Sequence, residues 1–145
     1  MGSVDDEPRD RDGAGIVGRV VMAFQAFVVR VYEDPGRSEC DYRVLVDRLW
    51  PRGKTVAALD MDEWAKSVAP STQLRKWYSH DASLFEEFSV RYRTELGDKK
   101  VELLAILESA ESKRLVLLTA AKDVERSSAL VLLSELRQLK NDPMP

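Results

Sequence analysis

Arg43-Val44-Leu45-Val46-Asp47-Arg48-Leu49-Trp50-Pro51-Arg52-Gly53 begins as an apolar strand and turns abruptly polar. Val44, Leu45 and Val46 form a short run rich in β-branched residues, which suits a buried strand. Asp47 and Arg48 follow at once. Charge is costly in an interior and tolerable at an edge, so the strand is expected to stop there. Pro51 has no amide hydrogen and drives Trp50 towards extended backbone. Gly53 opens backbone angles that other residues resist. The product is a stiff exit loop carrying Arg48, Trp50 and Arg52. Two guanidiniums beside an aromatic ring suit a phosphate or carboxylate with a flat group attached. The same residues also fit a purely structural reading, with Asp47 paired to Arg48 or Arg52 and Trp50 filling the core.

A second apolar run, Leu115-Val116-Leu117-Leu118, is bounded by Lys113-Arg114 and by Thr119-Ala120-Ala121-Lys122-Asp123. A short buried strand that leads into a helix is the pattern of an α/β sheet. The helix is expected over about 124–140, with Ala129, Leu132, Leu133, Leu136 and Leu139 on its apolar side. Ligands of open α/β sheets collect beyond the carboxyl ends of strands, often against helix amino termini. Lys122 adds a positive charge there, and Asp123 is placed to cap the helix. The turn has no glycine, so a nucleotide phosphate loop is not indicated.

Outward from these two stretches, residues 20–32 read as a first strand with both faces mostly apolar, and Asp34-Pro35-Gly36 as a turn. Residues 60–69 carry Met61, Trp64, Ala65 and Val68 at helical spacing, with Asp60 as cap and Glu63 three residues on. Pro70 ends that segment. Ser71 caps a second short helix whose apolar positions are Leu74, Trp77 and Tyr78, with Arg75 between them. His80-Asp81 is a junction. A third helix runs to Leu96 with Ser83 and Glu86 as its capping pair, Gly97 stops it, and Asp98 starts a fourth. The fold expected is α/β: a compact three-layer domain with a small mixed sheet and about five helices. The loops after residues 46 and 118 should meet on one sheet edge. The first two strands are joined too closely for a helical crossover, so they are either antiparallel neighbours or not directly paired.

Composition sets the outer limits. At 145 residues, 44% hydrophobic and 32% charged, the chain suits one soluble globular domain. Residues 1–20 are expected to be a disordered acidic and glycine-rich tail, 21–140 the single domain and 141–145 a C-terminal tail. There is no apolar run of membrane-spanning length, and the acidic amino terminus lacks a signal core, so a cytoplasmic location and no membrane partner are expected. Cys40 and His80 are the only residues of their types, which argues against a disulfide, a metal or a metal-dependent cofactor. Net charge of −3 argues against a generally basic nucleic-acid surface. His80 beside Asp81 fits either a general base or a helix-end residue.

Several of these stretches together resemble the YeaO-like proteins, a branch of a large bacterial family of unknown function. The resemblance covers about residues 28–139. It is carried by Arg43 through Gly53, by Ala69-Pro70-Ser71-Thr72 with Leu74-Arg75-Lys76-Trp77, and by His80-Asp81. Phe88, Arg91-Tyr92, Glu95-Leu96 and Ala120-Ala121-Lys122-Asp123 complete it. The resemblance implies a compact α/β domain and convergence of Asp47, Arg48, Trp50, Arg52, Ser71, Arg75, His80, Lys122 and Asp123. It implies no established substrate. Two departures stand out. Arg126-Ser127-Ser128 replaces a family segment that contains histidine and asparagine, and Asp41 stands where glycine is usual.

Two functional expectations follow. In the first, the chain binds or processes a small anionic ligand, a nucleotide or phosphorylated metabolite. Arg48, Arg52, Ser71, Arg75 and Lys122 would hold it, Trp50 would stack on it, and Asp47, His80 or Asp123 would move a proton. In the second, the chain is a non-catalytic interaction or regulatory module. Single-stranded nucleic acid gripped by Arg and Trp side chains is a weaker third option.

Overall fold

The computed structural model describes residues 24–141 and the backbone of two short strands, Ala14–Gly15 and Val17–Gly18, which pair antiparallel. The rest of the expected amino-terminal tail, and residues 142–145, lie outside the described residues.

Four strands form the main sheet: β1 Gln25–Arg30, β2 Asp41–Leu45, β3 Glu63–Trp64 and β4 Arg114–Thr119. Their order is β1-β4-β2-β3 and every pairing is parallel. The sheet is therefore not mixed, as expected from sequence, but parallel throughout. β4 inserts between β1 and β2, so the short 31–40 connection joins two strands that do not pair with each other. Of the two arrangements left open, the unpaired one holds. Parallel order brings all four carboxyl ends to one edge of the sheet. Arg30 is level with Thr119, and Leu45 with Leu118 and Trp64.

Among the described residues, five α-helices accompany the sheet: α1 Val56–Leu59, α2 Thr72–Tyr78, α3 Phe85–Gly97, α4 Lys100–Ser109 and α5 Ser128–Asn141. Period-two alternation sorts the strand residues. Ala26, Val44, Val46, Leu115 and Leu117 pack with Phe88, Tyr92, Ile106, Leu132 and Leu136 of the long helices. Each large apolar side chain buried this way contributes about 1.5–3 kcal/mol. Leu45, Val116 and Leu118 face the other way, against Val31, Leu59, Trp50, Met61 and Trp64. The third layer is thus thin, made of one-turn α1 and loops, and Phe27 at its margin is exposed.

The expected 60–69 helix is replaced by β3 and a 3-10 turn, Lys66–Val68. Asp60 adopts left-handed backbone (φ 51°) and ends α1 instead of starting a helix. The amides of Asp62 and Ala65 then donate to the carbonyls of Arg43 and Leu45, at 2.7 and 2.8 Å. The free edge of β2 needs hydrogen-bond partners, and this demand outweighs a helical spacing of apolar residues only ten long. Ser71 caps α2 as expected, its hydroxyl accepting from the Leu74 amide at 3.1 Å. Asp123 does not cap α5. Ser127 does so, accepting from the Leu130 amide at 3.3 Å, and a 3-10 turn over Val124–Arg126 separates Asp123 from the helix. No helix among the described residues is long and apolar enough to cross a membrane.

Candidate functional site

Asp47 lies just past the end of β2, where the register brings it beside the end of β4. Its Oδ1 accepts from the Thr119 hydroxyl and its Oδ2 from the Ala120 amide, both at 2.7 Å. Its own carbonyl accepts from the Trp64 indole at 2.7 Å. One residue therefore laces the ends of β2, β3 and β4. Burial pushes the Asp47 carboxyl above its ordinary pKa, and the two neutral donors offset this only in part.

Arg48 turns towards the helix side. Its Nε donates to the Pro70 carbonyl at 2.8 Å and Nη2 to that of Ala69 at 3.4 Å. There it lines a cavity of about 360 Å³ with Ser71, Tyr92, Glu95 and Lys99. Ser71 donates to Glu95 through its amide (2.8 Å) and its hydroxyl (2.5 Å). The Tyr92 hydroxyl donates to the Val68 carbonyl at 2.5 Å, and burial pushes its pKa upward. Arg75, on α2, has a buried Nε with no hydrogen-bond partner among the described residues.

Trp50 turns towards the thin layer. Its indole donates to the Lys54 carbonyl at 2.6 Å, and its ring meets Trp64 edge-on with centroids 5.4 Å apart. Gly53 supplies the positive φ (80°) of the turn between Pro51 and Lys54. Arg52 and Lys122 are exposed, and neither side chain has a hydrogen bond or ion pair among the described residues. Asp123 is exposed and paired with Arg126 at 3.1 Å. His80 is exposed in left-handed backbone (φ 61°) at the end of α2. Its nearest aromatic neighbour is Tyr78, at 6.4 Å between ring centroids, and Asp81 turns away to accept from Ser83. Asp47 is thus joined to the end of β4 and, through Trp64, to Trp50, while Arg48 lies with Ser71 and His80 stands apart.

Sequence reasoning missed two groups. Arg30 ends β1, donates from Nε to the Ala121 carbonyl at 3.2 Å, and lies 4.9 Å from the Tyr32 ring centroid. No sequence signal marks it, since residues 20–32 read as one strand with Arg30 inside it. In sequence Arg43 reads only as the start of an apolar strand, yet it is 1% exposed. Its guanidinium pairs with Asp34 and donates to the carbonyls of Leu59 (2.8 Å) and Asp60 (2.6 Å). Nothing in the sequence marks it, because an arginine among valines reads as an edge residue.

A family model described as the inactive DUF488-N3 subclade matches residues 26–143. The chain is a YeaO-like member of that subclade. An uncharacterized protein of Escherichia coli K12, YeaO, is 41% identical over 110 residues, covering 76% of this chain and 95% of that protein. The uncharacterized protein Rv3073c of Mycobacterium tuberculosis H37Rv is 43% identical over 106 residues, covering 72% of this chain and 87% of its own. No solved structure matches. Both places where a departure from the YeaO-like pattern is expected have structural employment. Asp41 is buried and accepts from the Ser38 amide (2.8 Å) and from Arg114 (2.7 Å), fastening the loop that enters β2 to the start of β4. In Arg126-Ser127-Ser128, Arg126 holds Asp123, its carbonyl accepts from the Tyr78 hydroxyl at 2.7 Å, and Ser127 caps α5.

Proposed function

We propose that the chain is a non-catalytic module that binds a small anionic ligand at its strand ends. The observation that carries this is how the desolvated carboxylate there is used. Asp47 accepts from Thr119 and Ala120; the Thr119 hydroxyl is enclosed at 1% exposure and so shut off from a substrate, and no histidine or cation bonds to Asp47 among the described residues. A general base acts on a proton of the substrate or of a nucleophile that the substrate can reach, and an enclosed hydroxyl is not one. Asp47 instead ties strand to strand. The other acid–base candidates support the same reading, since His80 has no polar partner among the described residues and Asp123 is held by Arg126. The inactive description of the family model agrees with it. Arg52 and Lys122, exposed cations whose side chains have no hydrogen bond or ion pair among the described residues, favour an anion as the ligand.

One observation favours a catalytic alternative: the Asp47 pKa is raised, as that of an acid–base group often is. A panel of nucleotides and sugar phosphates, followed by protein amide shifts and by ³¹P spectra of the ligand, separates the two. Binding with the ligand recovered unchanged is expected. Turnover that disappears in Asp47→Asn would overturn the proposal.

A further inference from the structure

We infer that Arg30, Arg52, Lys54 and Lys122 form, around Tyr32, a binding surface for a phosphomonoester group. The inference rests on the anion-binding reading above and gives it a place and a ligand class. Three separated chain segments are fixed together here. The Arg30 guanidinium lies 4.9 Å and the Lys54 ammonium 5.7 Å from the Tyr32 ring centroid. The Tyr32 hydroxyl donates to the Arg52 carbonyl at 2.8 Å, holding the 50–54 loop against the ring. The Trp50 indole holds the same loop through the Lys54 carbonyl. Arg30 donates to the Ala121 carbonyl, next to Lys122. The four cations thus come from the ends of β1, β2 and β4.

The nearby acids do not cancel them. Glu33 approaches Arg30 at 3.5 Å but its side chain is 74% exposed. Such surface pairs contribute little and exchange readily. The Asp34 carboxylate is bonded by Arg43, and Lys54 acts on it only through space. Asp123 is taken by Arg126. In a chain of net charge −3, this leaves a local excess of positive charge at one point of the rim. A phosphomonoester carries close to two negative charges and three acceptor oxygens, which suits several cations arriving from different directions. The carboxyl ends of parallel strands are where such groups collect in open α/β sheets. An open rim suits a small charged group whose remainder extends into water, whereas a buried apolar ligand needs a concave pocket.

The test is an amide and side-chain NMR titration of the full chain with inorganic phosphate, ribose 5-phosphate and ribose. Saturable shifts are expected at Tyr32, Lys54, Ala121 and Lys122 with the two phosphates, and none with ribose. The double variant Arg52→Gln/Lys122→Gln changes only exposed side chains, so its spectrum should remain that of the folded protein. Its affinity for phosphate should fall about tenfold. Phosphate shifts confined to Arg48, Ser71 and Lys99, and unaltered by the double variant, would overturn this placement while leaving the anion-binding reading intact. No shift with either phosphate would overturn both.

Discussion

The thin layer and the strand ends treat aspartate in opposite ways. On the thin-layer side, Arg43 pairs with Asp34, and Arg37 binds Asp60 (3.1 Å) and Asp62 (3.0 Å). There each carboxylate meets a guanidinium, and each has its pKa lowered. For Asp60 the Arg37 bond is the main cause. For Asp34 and Asp62 burial pushes upward, but bonds from Arg43, Arg37 and backbone amides outweigh it. At the strand ends, Asp47 meets only a hydroxyl and an amide among the described residues, and burial leaves its pKa raised. The first region closes its charges on one another. The second holds a costly carboxylate with neutral donors and, among the described residues, leaves the Arg52 and Lys122 side chains without an ion pair. Availability to a ligand follows from what a charge already bonds, and the most conspicuous residues of the 43–53 stretch are the ones already engaged.

Removing Arg43 should give the largest effect. Its side chain is enclosed, and Arg43→Met would strand the Asp34 carboxylate and two carbonyls. Breaking a buried pair from one side costs about 3–5 kcal/mol. Urea unfolding should register a loss of that size. Because the pair as a whole is near neutral against an apolar replacement, adding Asp34→Ala to Arg43→Met should recover part of the loss. A single variant as stable as wild type would erase the distinction between the two regions.

Asp47→Ala should cost less. It frees the Ala120 amide and the Thr119 hydroxyl, and an unsatisfied buried donor costs about 1–3 kcal/mol. Part is returned because a raised pKa marks a carboxylate that is itself poorly solvated. The same unfolding measurement ranks the two variants, and equal losses would show that neutral and charged partners hold these carboxylates alike. Smaller again is Ser71→Ala, which removes the α2 cap and one of the two Glu95 bonds. A lost cap of this kind costs about 1 kcal/mol.

What the sequence made legible follows the physics of each signal. Strand periodicity and the polar break at Asp47 placed β2 and β4 and predicted that their exits meet, because both depend on residues near in sequence. The Ser71 cap was legible for the same reason. The parallel order was not, because inserting β4 between β1 and β2 is settled by packing between segments some seventy residues apart. The 60–69 segment was misread because its helical spacing competes with an unpaired strand edge that only tertiary structure reveals. Arg43 and Arg30 escaped for a related reason: their partners, Asp34 with the 59–60 carbonyls and Ala121 with Tyr32, are brought near by the fold.

The subtlest expected effect is in pH dependence, where the two regions should act with opposite sign. Asp34, Asp60 and Asp62 have folded pKa values below their unfolded ones. Their contribution is fully present above about pH 4, the ordinary carboxylate range, and is lost as pH falls through the lowered values. Asp47 has a folded pKa above its unfolded one. The folded protein then binds that proton more tightly, so stability decreases as pH rises from about 4 through the raised value and is level beyond it. Coming down from neutrality, wild type should therefore gain on Asp47→Asn before the other carboxylates protonate and both proteins weaken. Carboxyl ¹³C titration checks the order directly. Asp47 should protonate at the highest pH of the four, and Asp47 titrating below Asp62 would mean that its two neutral donors outweigh its burial after all.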